Sequence, residues 1–191
     1  IAKPDHFAEG FVTAGDVRRQ TYMAFLLGAA GYTYGNNAIW QMFKLNGEIA
    51  LPALTDWREA MDRPGAQVIR HVRALWESRP LGMLRPAGDA VVESPPEQSG
   101  YPLLAARAED GSLLIVQFPH GGTARIDVSS LRTNDARTWW YDPRNGTHLD
   151  GGRKPFSEDH TLQITAPTEN VDWLLIIDAI DAGYGPPGVV E

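Results

Sequence analysis

Hydrophobic and polar positions follow two different rhythms along this chain, and the change falls near residue 85. Before it, apolar residues recur at helical spacing. After it, short runs rich in β-branched and aromatic residues alternate with Gly, Pro, Asn and Asp. The first helical stretch is predicted from about Asp16 to Ala30, with Asp16 as N-cap and Gly31 as the stop. Val17, Thr21, Ala24 and Gly28 form its stripe, and Tyr22, Phe25, Leu26 and Ala29 widen that stripe into a buried face. Tyr32-Thr33-Tyr34 has strand-forming side chains and is predicted to be a short strand, leading into the polar turn Gly35-Asn36-Asn37. A second helical region is predicted from Asp56 to Glu77, with Asp56 and Glu59 at capping-box spacing and Pro64 dividing it in two. In its longer part Val68, Ile69, Val72, Leu75 and Trp76 define one face, ended by Pro80.

Seven or eight short strands are predicted beyond residue 90, near 90–93, 103–108, 112–118, 123–128, 136–141, 147–149, 160–165 and 171–178. Turn signals separate them at Asp110-Gly111, Gly121-Gly122, Asn145-Gly146 and Gly151-Gly152, with Asp110-Gly111 the strongest hairpin signal. Trp173 to Ile177 is apolar at every position, the mark of a central strand buried on both faces. This spacing predicts a β-sandwich, followed by irregular chain from Gly183 to Glu191. Residues 1–15 carry Pro4, Gly10 and Gly15 and read as internal loop, and with no initiator Met ahead of Ile1 a processed or fragmentary chain is expected.

Composition narrows the chemistry. A net charge of −7 disfavours a nucleic-acid backbone or an anionic membrane surface as partner and leaves neutral ligands unopposed. No run reaches the roughly 18 to 20 apolar residues of a membrane span. The absence of cysteine excludes disulfides, thiolate metal sites and cysteine nucleophiles. His6, His71, His120, His148 and His160 show no metal-ligand spacing, and no cofactor is expected. Ser99, Ser129 and Ser130 lack a nucleophile-elbow context.

Three matches, the third in two pieces, carry a family resemblance. RRQTYMAFLLGAAGYTYGNNAIW (residues 18–40) and DWREAMDRPGAQVIRHVRALWESRP (56–80) resemble the end of the catalytic barrel in the apiosidase-like glycoside hydrolases. TWWYDPRNG (138–146) and DWLLIIDA (172–179) resemble the appended β domain of those enzymes, a domain named for collagen binding. The resemblance implies an α/β plus all-β architecture: the last strand and helices of a (β/α)8 barrel over 1–85, then an antiparallel β-sandwich over 86–191. It also implies a bacterial protein, periplasmic or secreted, acting on polysaccharide side chains. Two departures stand out. Many members have His where this chain has Tyr32, and the strands bearing the catalytic carboxylates lie upstream in the family. Asp5 and Glu9 match no catalytic motif position, so the catalytic residues stay unassigned.

Glycosidases need two carboxyl groups at a set spacing, about 5–5.5 Å for retention and about 6.5–9.5 Å for inversion. The acids in recognisable motifs here have structural explanations: Asp56 and Glu59 at a helix start, Asp142 at a turn, Asp172 and Asp178 around a strand. The candidate substrate-binding residues are Tyr34, Asn36, Asn37 and Trp40, since amides exchange hydrogen bonds with sugar hydroxyls and an aromatic face stacks on a sugar ring. The plain alternative makes the Asn pair a tight turn and Trp40 core. Trp139 and Trp140, adjacent in a strand, face opposite sides; one is core and the other packs between domains or forms a carbohydrate platform. The expected partners are a carbohydrate substrate and the remainder of the barrel, from this chain or another. A non-catalytic carbohydrate- or collagen-binding module and a purely structural subunit are the competing readings.

Overall fold

The computed structural model describes residues 12–96 and 101–189. Four α-helices precede nine β-strands among these residues. The helices are α1 (Ala14–Leu26), α2 (Asn37–Trp40), α3 (Trp57–Met61) and α4 (Pro64–Ser78). The strands are β1 (Leu84–Pro86), β2 (Val91–Glu93), β3 (Leu104–Ala108), β4 (Leu113–Phe118), β5 (Thr123–Asp127), β6 (Asp135–Asp142), β7 (Thr147–Pro155), β8 (Thr161–Thr165) and β9 (Trp173–Ala179). Six strands form one antiparallel sheet in the order β1-β3-β4-β9-β6-β7, and three form a second in the order β2-β5-β8.

Helix α1 begins at Thr13, three residues before the predicted cap. The Thr13 hydroxyl accepts from the Asp16 amide at 3.2 Å, and Asp16 Oδ2 accepts from the Thr13 amide at 2.8 Å, a reciprocal capping box. Asp16 therefore closes the box from the third helical position. The helix also stops earlier than predicted. Gly28 has φ +92°, its amide donates to Phe25 O and the Ala29 amide to Ala24 O, a Schellman arrangement. Gly28 is the stop, and Gly31 lies beyond it. Pro64 opens α4 as its first residue, dividing the second helical region as its rigid φ requires. The Asp56 carboxylate caps α3 by accepting from the Arg58 amide.

No strand forms at Tyr32–Tyr34. A strand exists only through ladder hydrogen bonds to a neighbour, and every strand found among the described residues lies beyond residue 83. The propensity of Tyr-Thr-Tyr alone leaves an unpaired segment. The reading of residues 1–15 as loop falls mostly on residues 1–11, outside the described residues, as does the end of the tail at 190–191.

The six-stranded sheet is the middle of three layers. Side chains alternate along each strand, so β4 sends Leu113 and Ile115 towards the helices and Leu114, Val116 and Phe118 towards the smaller sheet. Strand β9 does the same, with Leu174 and Ile176 on the helical side and Trp173, Leu175 and Ile177 on the other. Tyr22 and Leu26 of α1 and Val68, Val72 and Leu75 of α4 complete the helical layer. Every residue of β4 and β9 is buried, the two-sided burial that the unbroken apolar run of β9 predicts.

Two strand assignments change. Gly151-Gly152 marks no turn. It sits inside β7, opposite a register shift between Thr138 and Trp139, so β7 runs on to Pro155. A Cβ on Gly151 would come within 2.5 Å of Thr138 Oγ1, so only glycine fits that bulge. Strand β1, three residues ending in Pro86, is too short to signal itself and exists because β3 offers it an edge.

Ionic contacts tie the helical segment to the sheet. Arg18 of α1 holds the buried Asp172 through two hydrogen bonds, 2.5 and 2.7 Å. Arg79, just after α4, holds Asp178 at the end of β9 through two more, 2.9 and 2.8 Å.

Candidate functional site

The loop predicted to face substrate is shaped by its own side chains. Asn36 has extended backbone, and its Oδ1 accepts from the amides of Ala38 and Ile39, capping the single turn of α2. Its Nδ2 donates to the Tyr34 hydroxyl at 3.3 Å. Asn37 Nδ2 donates to Pro52 O at 3.0 Å, pinning the loop to the segment before α3. Gln41 reinforces that pin, donating to Leu51 O and accepting from the amides of Ala50 and Leu51.

These contacts enclose a hollow of about 280 Å³. Tyr34, Gly35, Asn36 and Asn37 form one wall, and Pro52 to Thr55 form the other. The structure thus brings three of the four candidate residues together. Trp40 is not among the lining residues; it lies outside the hollow with 70% of its surface exposed. The amide oxygen of Asn36 is engaged in capping and its Nδ2 in the bond to Tyr34; the other polar groups lining the hollow include the Tyr34 phenol, the Gly35 backbone, Thr55 and Arg63.

Around this hollow the chain shows much apolar surface. Met42, Leu45, Ile49, Leu51, Leu54 and Met61 are exposed along with Trp40, while the small cluster beneath them holds only Ala38, Phe43 and Ala60 as buried members. An exposed apolar area this dense marks a surface built to be covered.

The two adjacent tryptophans are both buried, each 7% exposed. Trp140 lies between the sheets, edge-on to Phe118 and Trp173. Trp139 packs in the layer between sheet and helices, donates to Asp178 Oδ2 at 3.1 Å and carries the Arg137 guanidinium over its ring. Neither ring is an open platform for sugar.

Among the described residues, the buried acids Asp142, Asp172 and Asp178 are each engaged in structural contacts. Asp172 and Asp178 are tied to arginines, and Asp142 accepts from the side chain and amide of Arg144 and from Asn145. Burial pushes the Asp178 carboxyl upward, against the pull of Arg79 and the Trp139 indole. No group of three or more His, Asp or Glu among the described residues is arranged to hold a metal ion. No helix among them is long and apolar enough to cross a membrane.

One lined cavity had no clear sequence signal. It opens at the end of the sandwich, around Tyr101, His120 and Asn170, with a volume of about 490 Å³. In sequence Gly121-Gly122 signals only a turn, and His120 has no metal-ligand spacing.

Residues 2–82 match the family model described as "Apiosidase-like, catalytic domain", and residues 86–178 match the one described as "Putative collagen-binding domain of a collagenase". Among solved structures, a protein titled "Glycoside hydrolase" superposes over 95% of this chain with a TM-score of 0.81 at 22% identity. A glycoside hydrolase family 5 protein from Bacteroides vulgatus ATCC 8482 superposes over 97% with a TM-score of 0.83 at 21% identity. At such identities the likeness establishes the fold. The chain spans 40% of the length of each of these two structures. No curated protein matches the sequence. Together the comparisons place two family matches along the chain, an apiosidase-like catalytic domain over residues 2–82 and a collagen-binding type of β domain over residues 86–178.

Proposed function

We propose that this chain is the part of a glycoside hydrolase that completes the catalytic barrel and forms one wall of its sugar-binding cleft. Residues 1–85 are the barrel segment and residues 86–191 the bracing β domain. The substrate is a carbohydrate, in our reading a polysaccharide side chain, and the carboxylates that cleave it belong to barrel strands outside this sequence. Tyr34, Asn36, Asn37 and Trp40 stand on the substrate side, Tyr34 and the Gly35 backbone nearest the ligand. In our reading the chain by itself is inactive, and among the described residues the buried acids Asp142, Asp172 and Asp178 are each held by an arginine.

The observation that carries this reading is the hollow beside Asn36 set within a dense exposed apolar surface. A sugar cleft needs the hollow, and a neighbouring barrel element explains the apolar surface. The unpaired Tyr32–Tyr34 segment fits the same picture, since a neighbouring strand would give its backbone a ladder partner. The competing binding-module reading loses its main support, because both Trp139 and Trp140 are buried.

The test is the intact mass of the native polypeptide carrying this sequence, measured with its hydrolysis of aryl glycosides. A polypeptide longer by several barrel strands, or a tight complex supplying them, that releases sugar is the expected result. A native chain of 21.0 kDa with no partner and no hydrolysis overturns the proposal.

A further inference from the structure

A sheet edge offers unpaired backbone groups to any strand that can reach it, and folded chains guard such edges. Three of the four edges among the described residues are guarded. Strand β1 is three residues long and ends in Pro86. Strand β2 is equally short, carries Glu93 and slips register against β5. Strand β7 has its bulge, the charges of Asp150, Arg153 and Lys154, and Pro155 at its end. Strand β8 is different. Its residues, Thr161-Leu162-Gln163-Ile164-Thr165, include no charge, no proline and no register shift, and beyond β5 no described strand pairs with it.

The ladder to β5 fixes which groups are free. In an antiparallel pair, alternate residues turn their N–H and C=O towards the same neighbour. The Val128 amide donates to His160 O, and the Ala166 amide to Gly122 O. The even-numbered residues of β8 therefore bond to β5, while Thr161, Gln163 and Thr165 aim their backbone groups away from the sheet. Thr161 is already served: its amide donates to Ser157 Oγ at 3.2 Å, and its carbonyl accepts from that hydroxyl at 2.7 Å. Pro167, at the other end, has no N–H to give. The open edge is thus Gln163 and Thr165, each with one donor and one acceptor. Their side chains lie on the outer face, where Thr165 meets Thr123, whereas Leu162 and Ile164 pack into the sandwich.

These limits select the partner. A long extended peptide gains nothing beyond Gln163 and Thr165, because Thr161 and Pro167 close the edge at both ends. A second β8 presents the same short, uncharged edge in the complementary direction. We propose that β8 is a self-association edge, joining two copies of this chain about a twofold axis at Ile164. In that register Gln163 of each copy lies opposite Thr165 of the other, and the hydrogen bonds exchanged use every free backbone group of both residues. Centring the axis on Gln163 would instead set Thr165 against the occupied Thr161 and leave Thr165 unpaired. The contact is small, so the dimer is a reversible one. The edge belongs to the sheet remote from the helices, so this inference does not depend on the barrel reading.

The test uses the whole 191-residue chain, which lacks cysteine, so that introduced cysteines report on this contact alone. Opposed residues in such a hydrogen-bonded pair have Cα atoms about 5.5 Å apart, within reach of a disulfide. On mild oxidation Gln163→Cys/Thr165→Cys should give a covalent dimer of twice 21.0 kDa, and Gln163→Cys alone should give little. Sedimentation equilibrium of the unaltered chain over a dilution series should show reversible dimers. Gln163→Pro removes one outward N–H and no bond to β5, and should weaken those dimers about tenfold or more. Gln163→Lys, which places a charge on the same edge, should act in the same direction. An unaltered chain that stays at 21.0 kDa throughout overturns the proposal. So does self-association that neither Gln163→Pro nor Gln163→Lys changes, which would place the contact on the exposed apolar surface around Trp40. Cross-linking through Gln163→Cys alone, as complete as with both cysteines, overturns the register about Ile164.

Discussion

The Arg79 guanidinium grips the Asp178 carboxylate with both of its oxygens engaged, and the two side chains are 1% and 3% exposed. Arg79 also donates to Ser78 O and Gly185 O, so one residue joins the end of α4, the end of β9 and the C-terminal loop. Burial raises the Asp178 pKa even though Arg79 and Trp139 pull it down, so desolvation outweighs attraction. The folded state then takes up that proton more readily than the unfolded chain, and the pair's cost grows as pH rises above the ordinary value of 3.8.

Removing one partner should therefore be worse than removing both. Asp178→Asn or Arg79→Met strands a buried group and should cost about 3–5 kcal/mol, whereas the double change to Met and Leu should cost less than either, its remaining loss coming from the Trp139 indole and Gly185 O left without partners. Urea denaturation of the three variants checks this. Equal losses in all three would show that the pair contributes net stability.

The capping box of α1 gives a pH prediction. Hydrogen bonds from the Thr13 hydroxyl and then the Thr13 amide hold the Asp16 carboxyl below its ordinary value of 3.8. Its stabilisation is fully present above that value and is lost as pH falls through the lower folded value. Thr13→Ala should cost about 1 kcal/mol at neutral pH. Its penalty should shrink in acid, a trend that melting curves from pH 7 to pH 2 would show; a constant penalty refutes the box.

Two tryptophans of one type should respond in opposite ways. Trp140→Ala empties a site between the sheets and should cost about 3–5 kcal/mol. Trp40→Ala touches an exposed ring and should change stability by no more than about 0.5 kcal/mol. Thermal melts of both variants test the contrast, and a large loss at Trp40 would mean that its ring is packed.

The Asp110-Gly111 turn is equally open to test. Gly111 has φ +70°, and a Cβ there would come within 2.9 Å of Ser130 O and 3.0 Å of Arg132 N. Gly111→Ala should cost about 1–3 kcal/mol, readable from the shift in urea midpoint, and an unchanged midpoint would contradict the backbone geometry.

Much of the fold was legible because its signals are local. Asp110-Gly111 marks the β3–β4 hairpin, Pro64 marks a helix start, and the apolar run of β9 marks a strand covered on both sides. What escaped depends on neighbours that sequence does not display. Tyr32–Tyr34 has strand side chains but no strand beside it, and β1 pairs only because β3 presents an edge. Gly151-Gly152 has the composition of a turn, yet the ladder to β6 continues through it as a bulge. Of the candidate site, the Asn pair is visible in sequence, but the capping by Asn36 is not singled out there, and the companion wall at Pro52–Thr55 lies fifteen or more residues away from Asn37. The cavity around His120 gathers residues from four separate stretches, a convergence that no short motif records.

At its centre, in β4 and β9, the middle sheet has no wet side. A gene fusion or recombination event that took the β domain alone would leave Ile115, Trp139, Tyr141, Leu174 and Ile176 facing water, an adhesive wall rather than a soluble module. The helical segment thus supplies part of the β domain's own interior, and a β domain moved without it would need a substitute cover.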